Sequence, residues 1–295
     1  VTGDLNLSWI SRLTALPEGL NVPGNLTLWG CYNLTALPEG LHLTRGLFIS
    51  DCTNIAALPA RLHVERDLYL SGCNKLTVLP EDLYVGGSLE LAFCRLTALP
   101  EELHVTGGLK ILECHNLTAL PEGLRVAGDL NIEECSKLTA LPEGLHVTGD
   151  TNLSNCSNLM ALSEGLTVIG NLSNCPKLTA LPEWLHVTGH LNLRKCFNLT
   201  ALPKGLKVTG GLDISNFSDL TALPEGLQVT GDLNLSNCSS LTSLPEGLNL
   251  KGKLKLSRCS NLTALPDRLK VEGMLSLSYW RELTCLPEWL MKLGV

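Results

Sequence analysis

Aromatic residues make up only 4% of this chain, too few to fill a core with rings, so aliphatic side chains must do it. Basic residues are also in deficit: 22 Lys and Arg stand against 29 Asp and Glu, a net charge of −7. That balance argues against a protein devoted to nucleic-acid phosphates, which would leave a basic footprint. No apolar run approaches the roughly 18 residues that a helical membrane span needs. HExxH, GxSxG and CxxC are missing, and no acid, base and nucleophile gather in one stretch. The expectation is a non-enzyme with no cofactor and no metal. The chain opens at Val1 without a basic and apolar leader, so its ends read as cuts through a longer protein or as bare ends.

What is present is a period. Gly231-Asp232-Leu233-Asn234-Leu235-Ser236-Asn237-Cys238, followed by Leu241-Thr242-Ser243-Leu244-Pro245-Glu246-Gly247-Leu248, has a counterpart in almost every stretch of about 21 residues. Units this thin cannot bury an apolar face alone, so successive copies must stack. Counting from the first strand leucine, coils begin at Leu5, Leu26, Leu47, Leu68, Leu89, Leu109, Leu130, Thr151 and near Gly170. They continue at Leu191, Leu212, Leu233, Leu254 and Leu275, making about fourteen. In the frame LxLxxCxxLTxLPxxLxVxG, LxL alternates as a short strand with leucines inward. Proline at the LP step favours an extended, polyproline-like return. The glycine after it, as in Pro142-Glu143-Gly144, suits a bend with positive φ. LxVxG then alternates again. One domain spanning 1–295 is expected, with irregular coils over 150–176. There Thr151 replaces a core leucine, Ser163 replaces the proline, and Gly170-Asn171-Leu172-Ser173 is two residues short. That stretch is expected to be the softest.

The LxLxxCxxLxxLPxxL frame resembles the leucine-rich repeat, with Cys where many members have Asn. Its LPEGLxVxG half is similar to the short repeats of bacterial type III secreted effectors, GogB-like and EspR-like, and more distantly YopM and IpaH. The resemblance covers essentially all 295 residues. It implies a right-handed, curved leucine-rich repeat solenoid with a concave parallel sheet, an extended convex side and little helix. It also implies a protein-binding role, with a host protein as partner and a reducing host cytoplasm or nucleus as the place of action after secretion. Two alternatives stay open: a substrate-recognition domain of a larger effector enzyme such as a ubiquitin ligase, and an ice- or glycan-binding array. Nothing after Leu286 is long enough to be the catalytic domain of the ligases.

Twelve cysteines would suggest disulfides in a small secreted domain. Eleven of them, from Cys31 to Cys259, share one frame position that Ile10, Phe217 and Trp280 fill in the other coils. A site that accepts Ile, Phe or Trp is an apolar interior site. Equivalent Cβ atoms in register lie about 4.8 Å apart, wider than the ~3.8 Å a disulfide prefers, so reduced buried thiols are expected, in a reducing compartment. His42, His63, His104, His146 and His186 share an outward position that Tyr84, Arg125, Thr167 and Lys207 also occupy. A solvated column is the expectation there, not a metal site. Glutamates from Glu18 to Glu288 follow the prolines as an exposed seam, and Thr14 to Thr284 form the threonine column behind the array alternative. Gly247-Leu-Asn-Leu-Lys-Gly252-Lys253 nearly fits a phosphate loop, but Leu254 stands where Ser or Thr is required.

The outward side chains of the LxL strands are where recognition is expected. Small polar residues such as Asn131, Asn152, Asn192, Asn234, Ser154, Ser215 and Ser236 form the background. The departures are the candidate site: an aromatic strip of Trp29, Phe48 and Tyr69, and an acidic zone of Glu90, Glu113, Glu133 and Glu134. Two basic patches complete it, Arg194 with Lys195, and Lys253, Lys255 with Arg258. Exposed aromatics beside separated charges are what an interface hot spot needs.

Overall fold

The computed structural model describes residues 3–164, 166, 170–183 and 185–280. Thr167, Thr284, Glu288, Leu286 and Val1 lie outside them, as does part of the stretch 150–176. The architecture is the expected parallel β-solenoid, and no described residue is helical. Internal packing groups the chain into two units, Val1–Thr151 and Asn152–Val295.

In the first unit the LxL strands Leu5–Asn6, Leu26–Trp29, Leu47–Ser50, Leu68–Ser71, Leu89–Ala92, Leu109–Leu112 and Leu130–Glu133 pair in parallel, each with the next. Register is strict: Leu26 faces Leu47, Leu47 faces Leu68 and Leu68 faces Leu89. Both leucine positions of these strands are fully buried from Leu26 to Ile132, because alternation sends every second side chain to the same side. A second parallel sheet of seven strands runs from Asn21–Val22 to His146–Val147, with its valines inward. In the second unit the same plan gives a five-stranded sheet, Leu191–Asn192 to Leu275–Ser276. Opposite it lie a three-stranded and a two-stranded ladder, His186–Val187 to Gln228–Val229 and Asn249–Leu250 with Lys270–Val271. Asn171 makes isolated bridges to Asn152 and Asn192.

The glycine after the proline does adopt positive φ, between 65° and 76° at Gly19, Gly40, Gly123, Gly144, Gly205, Gly226 and Gly247. Arg61 holds the same bend at φ 57° without that freedom. A second bend was not expected. The residue before the thiol position lies in the left-handed region in every coil, from Trp9 to Tyr279. Gly30, Gly72, Asn155, Asn174, Asn216 and Asn237 suit it, whereas Phe93, Glu113, Glu134, Lys195 and Arg258 adopt it at a cost.

The eleven cysteines of the ladder are free and buried. Nine of these thiols donate to the carbonyl at the second leucine position of the preceding coil, as Cys196 does to Leu172 at 3.1 Å and Cys238 to Ile214 at 3.3 Å, whereas Cys73 donates to Ser71 of its own coil at 3.6 Å. Phe217 and Trp280 take the same interior position, and Trp280 passes its indole N–H to the Leu262 carbonyl. Thr151 and Ser163 are buried, and their hydroxyls have no hydrogen-bond partner among the described residues.

Candidate functional site

Each strand offers three outward places in succession: the x of LxL, the residue after the second leucine, and the left-handed residue that follows. The first place runs Thr27, Phe48, Tyr69, Glu90, Lys110, Asn131 through consecutive register pairs in the first unit. The second runs Trp29, Ser50, Ser71, Ala92, Leu112, Glu133. Phe48 and Tyr69 are therefore direct neighbours, both half-buried. Trp29 does not continue their column. It stands one place along the strand, opposite Ser50, and is 44% exposed. The aromatic strip is thus a diagonal, with Ser50, Ser71 and Ala92 as small side chains beside it.

The acidic zone is distributed the same way. Glu90 lies in the first column, Glu133 in the second, and Glu113 and Glu134 in the left-handed column. Lys110 reaches back to Glu90 at 3.1 Å. The signal for it was the 20-residue coil between Leu89 and Leu109, which still places Lys110 beside Glu90. Glu113, Glu133 and Glu134 have no ion pair among the described residues and remain the negative block. Phe93 was also missed: it holds φ 53° and is 51% exposed, in the coil between Tyr69 and Glu113.

In the second unit the first column is Asn152, Asn171, Asn192, Asp213, Asn234, Lys255. The Asn and Asp oxygens accept the backbone N–H two residues on, at Ser154, Ser173, Arg194, Ser215 and Ser236. Asn234 also donates to Asp213 at 3.1 Å. Arg194 and Lys195 are exposed in the second and left-handed columns. Lys253 precedes its strand, Lys255 lies in the first column, and Arg258 stacks over Tyr279 at 5.2 Å. A hollow of about 260 Å³ opens where Gly211 stands between His190 and Asp232, floored by Asn192, Asp213 and Asn234.

On the second sheet the histidine column is exposed as expected. His63 stacks on Tyr84 at 4.3 Å between ring centroids, and Tyr84 on His104 at 5.2 Å. Among the described residues no group of three or more His, Cys, Asp or Glu side chains is placed to hold a metal, and no helix is long and apolar enough to cross a membrane. Burial raises the thiols: Cys52 and Cys196 to about 11, Cys94 and Cys238 to about 12. Desolvation also lifts Cys73, Cys114, Cys175 and Cys259 above the ordinary range. A thiol that resists ionisation is a poor nucleophile, so the ladder is built for packing. Of the threonine column, Thr118, Thr179 and Thr242 donate their hydroxyls to carbonyls of the preceding coil.

Fold and surface together define a solenoid of leucine-rich coils that presents variable side chains from fixed strand positions. No family model matches the chain, and no curated protein matches it. Among solved structures, a leucine-rich repeat protein from Bacteroides ovatus is similar at 13% identity, over 96% of this chain and 86% of that one, with a TM-score of 0.36. So distant a likeness carries no argument about what this chain does.

Proposed function

We propose that the chain is a non-catalytic scaffold that captures a protein through the outward side chains of its LxL strands. The observation that carries this is the contrast along each strand of the first unit. Inward places hold Leu or Ile in coil after coil, while neighbouring outward places run Thr27, Phe48, Tyr69, Glu90, Lys110. Large rings left facing water from a rigid sheet favour an interface over free drift. The setting proposed is a bacterial protein delivered into a host cell, with a host protein as its partner. The resemblance of its LPEGL repeats supports that reading, and eleven buried free thiols support a reducing compartment.

Affinity capture from host lysate tests the proposal, with Trp29→Ala and Tyr69→Ala run beside the unaltered chain. Both variants are expected to lose a specifically retained protein while their thermal unfolding stays unchanged. An equal loss of stability would make these rings structural and remove them from the interface.

A further inference from the structure

The first unit's strand face has a direction. Exposed or half-buried rings occupy its early coils, at Trp29, Phe48, Tyr69 and Phe93. Glu113, Glu133 and Glu134 occupy the later ones. Between them Lys110 holds Glu90 at 3.1 Å, which cancels the charge nearest the rings. The row Ser50, Ser71, Ala92 keeps the side of the rings low, and Ser71 and Ala92 are buried. Such a face offers dispersion and apolar burial at one end and, at the other, three carboxylates with no ion pair among the described residues.

We infer that this face takes an extended polypeptide segment laid across the strands, with an apolar side chain on Phe48 and Tyr69 and basic side chains on Glu113, Glu133 and Glu134. The inference rests on the scaffold reading and specifies the partner's chemistry. Neighbouring strands lie about 4.8 Å apart, and three strand steps separate the Tyr69 register from that of Glu133. An extended chain advances about 3.3 Å per residue. The basic residues should therefore follow the apolar anchor by about four residues, or about six when the anchor sits on Phe48. Opposite charge also steers the approach, so binding weakens as salt screens the carboxylates.

Fluorescein-labelled ten-residue peptides, read by polarisation against the purified full chain, test this. One set carries Leu or Phe followed four to six residues later by two Arg. Matched sets replace Arg with Glu, or place Arg directly beside the anchor. The spaced basic set is expected to bind at least about tenfold tighter than either control, and to lose most of that advantage with E133Q/E134Q or in high salt. Lys110→Met, which uncovers Glu90, is expected to tighten binding a few-fold, an effect that mere loss of structure would not produce. Equal binding of all sets, or indifference to E133Q/E134Q in a variant that unfolds at the unaltered temperature, overturns the inference. Should lysate capture still depend on Trp29 and Tyr69 in that case, the scaffold reading stands with a different partner chemistry. Failure of both assays removes both.

Discussion

The LxL strands of the first unit from Leu26–Trp29 to Leu130–Glu133 are four residues long, whereas the LxL strands of the second unit stop at two. One outward residue accounts for three of the five short strands of the second unit, while Leu254–Lys255 and Leu275–Ser276 stop at two without it. Where Asn or Asp fills the x of LxL, its side-chain oxygen takes the N–H two residues on, as at Asn192, Asp213 and Asn234. That local bond competes with the ladder and ends it. The first coil obeys the same rule: Ser8 bonds Asn6, and the strand is Leu5–Asn6. Asn131 departs from the rule in the opposite direction. Its strand keeps four residues, paired to Leu109–Leu112 through Glu133, and its Oδ1 is buried without a partner among the described residues. The thiols register the same contrast. Cys31, Cys175, Cys196, Cys238 and Cys259 reach carbonyls inside such turns at 3.1 to 3.3 Å. Cys52, Cys94, Cys114 and Cys135, facing full strands, stand at 3.3 to 3.8 Å.

The largest expected effect tests what the two units share. The buried thiols have folded pKa values above their unfolded ones, so the fold prefers their neutral form. The stability they contribute is complete below about pH 9 and is lost as pH climbs towards 11 to 12, where Cys52, Cys196, Cys94 and Cys238 ionise in the fold. Denaturant midpoints should therefore drop steeply between pH 9 and 11 in protein kept reduced. A flat profile over that interval would mean that the ladder is hydrated.

A smaller effect is expected at the leucine position occupied by Thr151. Thr151→Val removes an unpartnered buried hydroxyl and should stabilise by about 1–3 kcal/mol, seen as slower hydrogen exchange over residues 150–160. No change there would place a partner on that hydroxyl. The smallest effect addresses strand length directly. Asn234→Thr should free the Ser236 N–H and cost about 0.5–1.5 kcal/mol, while Thr27→Asn in the first unit should shorten Leu26–Trp29. Amide exchange at Ser236 and Trp29 would report both, and strand lengths that ignored both substitutions would break the comparison.

Much of this was legible in the sequence. Coil phase, leucine burial, the thiol ladder and the bends after proline follow from a period that repeats the same steric problem in each coil. The defects at Thr151 and Ser163 were readable because each departs from that period at a known interior place. Strand length was not, since it depends on whether an amide oxygen or the preceding coil captures one N–H, a choice that composition does not encode. The diagonal placement of Trp29 needed the strand to be four residues long before its neighbour could be named. The pairing of Lys110 with Glu90 is not legible in either coil alone, because a salt bridge is a property of two adjacent coils.

The left-handed residue before each thiol gives the molecule a built-in gauge of selection. Glycine and asparagine are at ease there, so under selection for folding alone the column from Trp9 to Tyr279 should decay to those two types. Phe93, Glu134, Lys195 and Arg258 hold out against that decay at a standing energetic disadvantage. A saturation library sorted for folded protein would replace them first, and one sorted for partner capture would keep whichever of them the partner touches.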